Sequence, residues 1–149
     1  MKRWRAVWAL GATVCVVVAC GGEGTSTERT EEVAEASPRC AECGMRTDTA
    51  PRWVAGLGDD RFDAPKCLFR YAAEHATDAT GGWVTDYYGG TRRPIGEVLF
   101  VAGSDVTSPM GDDLVPLLGH AQAERFIADH GGRALAPDAV NATVLEALH

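Results

Sequence analysis

The chain has 149 residues, 46% of them hydrophobic, and 21 acidic against 14 basic side chains give it a formal charge of −7. That acidic balance does not suit nucleic acid or anionic lipid headgroups; it suits a cation, a basic protein partner or plain solubility. The length allows one main domain with a real core.

Lys2, Arg3 and Arg5 precede an apolar run over residues 6–19. The run is too short to span a bilayer and reads as a secretory signal segment. It ends in Val17-Val18-Ala19-Cys20, a lipobox that places Cys20 for lipidation. Residues 1–19 are therefore expected to be a lipoprotein signal peptide, lost together with Cys15. Each acyl methylene buried in a membrane contributes about 0.8 kcal/mol, so the several chains of a mature lipoprotein anchor it durably. Gly21, rather than Asp, follows the lipidated cysteine. That favours an outer-membrane lipoprotein facing the periplasm, with inner-membrane or cell-surface attachment left open. Residues 20–39 hold the lipidated Cys20 and an acidic Gly/Ser/Thr/Glu linker that cannot bury enough surface to fold. Processing leaves 11 basic against 21 acidic groups, a net −10.

Residues 40–149 form the expected metal-binding domain, with subunits over about 40–90 and 91–149. Residues 53–57 read as a strand, 58–60 as a turn and 61–63 as the return strand. Pro65 suits the first turn of a helix, with Cys67, Leu68, Tyr71, Ala72 and His75 on its inner face. Residues 83–88 read as another strand. A second unit follows: a strand over 97–102, a polar loop over 103–113, a strand over 114–118 and a helix over 121–130. That helix turns Ala123, Phe126, Ile127 and His130 inward and stops at Gly131-Gly132. Residues 133–136 are a strand, and Pro137 opens a last helix. The class is α+β: two ββαβ-like units with small antiparallel sheets and packed helices.

Three thiols remain after processing: Cys40 and Cys43 in Cys40-Ala41-Glu42-Cys43-Gly44-Met45, and Cys67. An odd count does not make a pure disulfide framework in an oxidising compartment, although a Cys40–Cys43 bond fits the metal-free chain. A redox C-x-x-C would open a helix after a strand, whereas this one follows a tether. Zinc fits a C-x-x-C if Cys67 and a histidine complete four ligands. The methionines favour copper. Met45 lies two residues after Cys43, and Met110 sits in the polar loop as Ser108-Pro109-Met110-Gly111. Thiolates and thioethers select Cu(I), while zinc gains little from a thioether. The bland alternative is that both methionines fill core gaps. His120, after Gly119 at a strand end, is a further ligand or a helix-capping residue. His75 and His130 read as packed residues, Asp63 and Asp86 as turn or cap residues, Trp53, Trp83 and Phe100 as core, and Arg92-Arg93 as a solvated loop tip. The sequence holds no phosphate loop, no paired carboxylates at catalytic spacing and no Ser/His/Asp set, so an enzyme is not expected.

Taken together, the lipobox and Cys40-Ala41-Glu42-Cys43-Gly44-Met45 resemble the NosL family. So do Arg61-Phe62-Asp63-Ala64-Pro65-Lys66-Cys67-Leu68, Trp83-Val84-Thr85-Asp86-Tyr87-Tyr88 and Leu99-Phe100-Val101-Ala102-Gly103-Ser104-Asp105. Ser108-Pro109-Met110-Gly111 and Phe126-Ile127-Ala128-Asp129-His130-Gly131-Gly132 complete the ordered set, which covers nearly all of the mature chain. The resemblance implies a Cu(I) chaperone feeding the copper-sulfide centre of nitrous-oxide reductase, with the reductase or its membrane maturation complex as partner. It also implies a duplicated ββαβ-like fold related to that of organomercurial lyase. It assigns ligation to Cys43 and Met110, puts Cys40 at a more variable upstream ligand position, and matches Cys67 to a cysteine found in part of the family. Leu118-Gly119-His120 departs from the family pattern, where an aromatic is common. The alternatives are a copper carrier for another cuproenzyme, a zinc-stabilised extracytoplasmic interaction module and, by fold analogy alone, a metal-carbon lyase.

Overall fold

A computed structural model describes residues 38–149, so the expected signal peptide, Cys20 and nearly all of the linker lie outside the described residues. Strands β1 (Ala55–Leu57) and β2 (Asp60–Phe62) pair antiparallel around Gly58-Asp59. Strand alternation sends Ala55 and Phe62 into the core and leaves Gly56 and Arg61 on the opposite face. Trp53, expected to begin the strand, instead ends a 3-10 turn over Pro51–Trp53 with Pro51 at its start. Pro65 opens α1 (Pro65–Glu74), whose Cys67, Leu68, Phe69 and Ala72 are buried as it packs on β1 and β2. His75 is not inward as expected. It caps the helix in an exposed position, its Nδ1 lying 2.9 Å from the Tyr71 carbonyl and its ring stacked on Tyr71.

Strand β3 (Trp83–Thr85) stops earlier than the apolar run suggests, because the Gly89 N–H donates to Asp86 Oδ2 at 2.6 Å and turns the chain. The turn brings back β4 (Arg92–Pro94), which pairs with β3 and closes a sheet of order β2-β1-β3-β4. Arg92 and Arg93 therefore belong to an edge strand, not a loop tip. Proline ends that strand, where no ladder donor is needed.

The second unit is built on β5 (Val98–Ala102). The polar loop after it contains a small hairpin, β6 (Thr107–Ser108) and β7 (Gly111–Asp112), turning at Pro109-Met110. Next come β8 (Val115–Leu118), α2 (Gly119–His130) and β9 (Arg133–Leu135), giving a sheet of order β8-β5-β9. Helix α2 begins two residues before the expected start and buries Ala123 and Phe126. Its last residue, His130, is half-buried rather than packed inward, with Nδ1 2.9 Å from Asp105 Oδ1. Pro137 starts only a 3-10 turn; α3 (Ala142–Glu146) begins separately because the Asn141 side chain accepts the Val144 N–H at 3.2 Å. Two ββαβ units with added strands, small antiparallel sheets and packed helices make the fold α+β.

The larger core gathers Phe62, Leu68, Ile95, Phe100 and Leu114, and the smaller gathers Val101, Leu117 and Phe126. Each such side chain contributes about 1.5–3 kcal/mol by leaving water. A polar joint crosses the larger core. Lys66 is buried, and its ammonium donates to the carbonyls of Met110 at 2.6 Å, Asp112 at 2.7 Å and His149 at 3.3 Å. The Lys66 backbone N–H, an unsatisfied donor in the first turn of α1, donates to Asp113 Oδ1 at 2.9 Å. Residue 113 thus caps a helix that no neighbouring side chain caps.

Burial pushes the Asp113 carboxyl up from its ordinary 3.8 to about 6. A carboxyl raised on folding favours the protonated native state. Its stabilising contribution is complete below about pH 4 and is lost as pH rises through about 6, a change on the order of 3 kcal/mol. Asp113→Asn is expected to flatten that part of the stability profile. Urea midpoints measured across pH 4–7 check it; an unchanged slope would show that another group titrates there.

Candidate metal centre

The C-x-x-C segment is a closed loop pinned at both ends. Thr47 donates from N–H and hydroxyl to the Pro38 carbonyl, each at 3.0 Å, and Arg39 and Arg46 form an antiparallel bridge. Inside it, the Cys40 N–H donates to the Met45 carbonyl at 2.8 Å and the Gly44 N–H to the Cys40 carbonyl at 2.9 Å. Gly44 takes φ +75°, a backbone conformation that a β-carbon resists, so glycine is what lets the loop fold back. The Ala41 N–H donates to the Arg61 carbonyl at 2.9 Å and staples the loop to β2.

This staple brings three segments together: the loop with Cys40 and Cys43, the β2–α1 connection with Asp63, and the first turn of α1 with Cys67. Their three sulfurs and one carboxylate oxygen all lie within 4.8 Å of one another. Cys40, Asp63 and Cys67 are buried, while Cys43 is exposed. The Cys43 thiol donates to Asp63 Oδ1 at 3.5 Å, and Asp63 Oδ2 is buried with no hydrogen-bond partner among the described residues. None of the three cysteines is in a disulfide.

The thiols are electrostatically unequal. The Cys67 thiol donates to the Cys40 sulfur, and that bond, against the opposing effect of burial and helped by backbone N–H groups of Cys43 and Asp63, holds Cys40 down at about 6. Burial is the main reason Cys43 is pushed up to about 11. Cys67 is raised further, first by its bond to Cys40 and then by burial. At neutral pH the metal-free cluster is therefore one buried thiolate flanked by two thiols. An orphaned carboxylate oxygen beside a thiolate and two thiols is an arrangement that a cation would complete. The donors fit a soft ion such as Cu(I) through sulfur, and as a tetrad they also fit zinc.

The family model for NosL matches residues 33–145. The chain belongs to the NosL family. Its fold is similar to the crystal structure of the copper chaperone NosL from Shewanella denitrificans, at 18% identity and a TM-score of 0.60, over 73% of this chain and 93% of that one. No match is found among curated proteins.

Of the residues singled out in sequence, the NosL-type loop and α1 unite Cys40, Cys43 and Cys67. Met45 stands on the same loop, 44% exposed, and contributes its carbonyl to the loop closure. Met110 is half-buried against the core cluster that contains Cys40 and Cys67. Its carbonyl is held by the ammonium of Lys66, the residue before Cys67. His120 is exposed on the first turn of α2, outside the cluster. Asp63 is the correction: it turns toward the thiols rather than capping a turn. Local pattern did not mark it, because what brings Asp63 to the thiols is the Ala41–Arg61 staple at the corner after β2.

Proposed function

We propose that this NosL-family protein is a Cu(I) carrier outside the cytoplasm, tethered to a membrane through Cys20, that delivers copper for assembly of the copper-sulfide centre of nitrous-oxide reductase. The reductase or its membrane maturation complex would receive the ion. The observation that supports this best is the convergence of three sulfurs, two of them buried and one exposed. Buried thiolates hold a soft ion tightly. An exposed member lets an incoming ligand from a partner replace it, so the ion leaves by stepwise exchange without ever being free. Copper is cargo in this reading, and no bond of an organic substrate is broken.

Met110 is the proposed thioether ligand; in support, its carbonyl is held by the ammonium of Lys66, the residue before Cys67. Binding should release up to two protons, from Cys43 and Cys67, because both thiols are raised. Apparent Cu(I) affinity is then expected to increase with pH above neutrality, by about tenfold per pH unit for each proton released. Competition titration of the reduced protein against a Cu(I) chelator at several pH values measures it. One ion per chain with rising affinity supports the carrier. Affinity independent of pH would mean that the thiols are not the ligands.

Zinc is a second reading, favoured by the carboxylate that makes a fourth donor. It predicts stoichiometric zinc in protein purified under reducing conditions, resistant to displacement by Cu(I). The carrier predicts displacement.

A further inference from the structure

On the sheet face away from α1, Gly56 lies between Arg61 of β2 and Trp83 of β3 in one cross-strand row. The missing side chain matters: a β-carbon at residue 56 would come within 2.6 Å of the Trp83 ring, so the indole lies across the strand on bare backbone. The Arg92 guanidinium stacks over that indole at 4.2 Å, and the Arg61 guanidinium sits 5.4 Å from its centre. Trp83, Arg92, Arg93 and Pro94 line a shallow cleft of about 350 Å³ beside it.

The charges of this patch are unbalanced. Among the described residues the ion pairs are Arg46–Asp48 and Asp105–His130, so Arg61 and Arg92 have no carboxylate partner. Arg93 pairs with Val84 and so falls on the other face. Asp60, the nearest acid on β2, falls on the other face and accepts from Tyr71 at 3.0 Å. Residues 38–149 carry 10 basic and 16 acidic side chains, yet two of the ten flank one tryptophan.

We propose that this arginine–tryptophan face is the docking surface for a carboxylate-rich surface of the protein that takes the metal. The proposal rests on the carrier reading. A flat aromatic flanked by guanidinium groups is the composition of an interface anchor. Arg61 links the patch to the ligand loop: its side chain faces the tryptophan while its carbonyl accepts the Ala41 N–H. An anionic membrane fits less well, because a net-negative domain is repelled by anionic lipid at a distance and the patch offers only two cations against it. A protein with a local acidic patch meets these cations at short range.

The test uses the full copper-loaded chain with apo nitrous-oxide reductase, with its detergent-solubilised maturation complex, and with phosphatidylglycerol vesicles. Affinities and on-rates are measured for wild type, Arg92→Gln and Arg92→Glu at about 0.05 and 0.3 M salt, a range over which exposed charges become screened. Wild type is expected to bind one of the two proteins, with the on-rate falling as salt rises. Arg92→Glu should weaken that binding by about tenfold or more and Arg92→Gln by less, with Cu(I) affinity and thermal midpoint unchanged. Equal binding by wild type and Arg92→Glu, Arg92-dependent binding to vesicles alone, or no binding by wild type would each overturn the docking surface. Retained Cu(I) affinity in any of these cases leaves the carrier reading standing; loss of Cu(I) binding by wild type itself would remove the carrier reading instead.

Discussion

Cys40→Ser is expected to lower Cu(I) affinity by at least about 100-fold, more than the 10–100-fold typical when only an outer partner of a ligand is removed. Cys40 is the one thiol of the cluster already ionised near neutrality, held at about 6 by the Cys67 thiol and by backbone donors. Serine keeps the shape but offers a hard hydroxyl that stays protonated and has little affinity for a soft ion. The substitution also removes the acceptor that organises Cys67. Cys43→Ser should weaken binding less at equilibrium and should accelerate loss of the ion to a chelator, since Cys43 is the exposed member. Met110→Ala should weaken binding while leaving the thiol ligands in place. Chelator competition on each variant measures these effects, and equal affinity in Cys40→Ser and wild type would remove Cys40 from the site.

Lys66→Met is expected to cost about 3–5 kcal/mol of folding stability, the loss found when one partner of a buried charged group is removed. The methionine fills a similar volume, so the loss comes from polarity and not from a cavity. Three carbonyls would lose their donor, and the buried Asp113 carboxylate would lose a cation that favours its ionised form. Against a total stability of 5–15 kcal/mol for a typical domain, such a loss would leave the protein partly unfolded at moderate temperature. Urea midpoints of Lys66→Met, Asp113→Asn and the double variant check it. The double variant should recover part of the loss, because the two groups belong to one network. A cost below about 1 kcal/mol would place the ammonium in solvent. The same joint connects the Met110 hairpin to the turn that bears Cys67, so Lys66→Met should also lower Cu(I) affinity.

Much of the fold follows from local rules visible in the sequence. Pro65 and the spacing of Cys67, Leu68 and Ala72 placed α1, and alternation around Gly58-Asp59 placed the first hairpin. The errors arose where a distant or side-chain contact overrides local pattern. Residues 83–88 look like one strand, but the Asp86 carboxylate turns the chain and makes Arg92 and Arg93 part of a strand. Pro137 looks like a helix start, but the Asn141 cap places the helix later. His130 has the right period for the core, yet Asp105 holds it at the helix end. The three cysteines were legible as a metal set from their chemistry. Asp63 was not, because only the Ala41–Arg61 staple shows that the corner after β2 faces the loop. The Lys66–Asp113 joint was also invisible, since its partners lie 47 residues apart.

X-ray absorption at the copper edge of the reduced, Cu(I)-loaded protein tests the central claim most directly. A monovalent ion in a sulfur-only first shell, losing sulfur scatterers in Cys40→Ser, is the predicted result. A first shell of nitrogen and oxygen, or a shell unaltered by that substitution, would contradict the account.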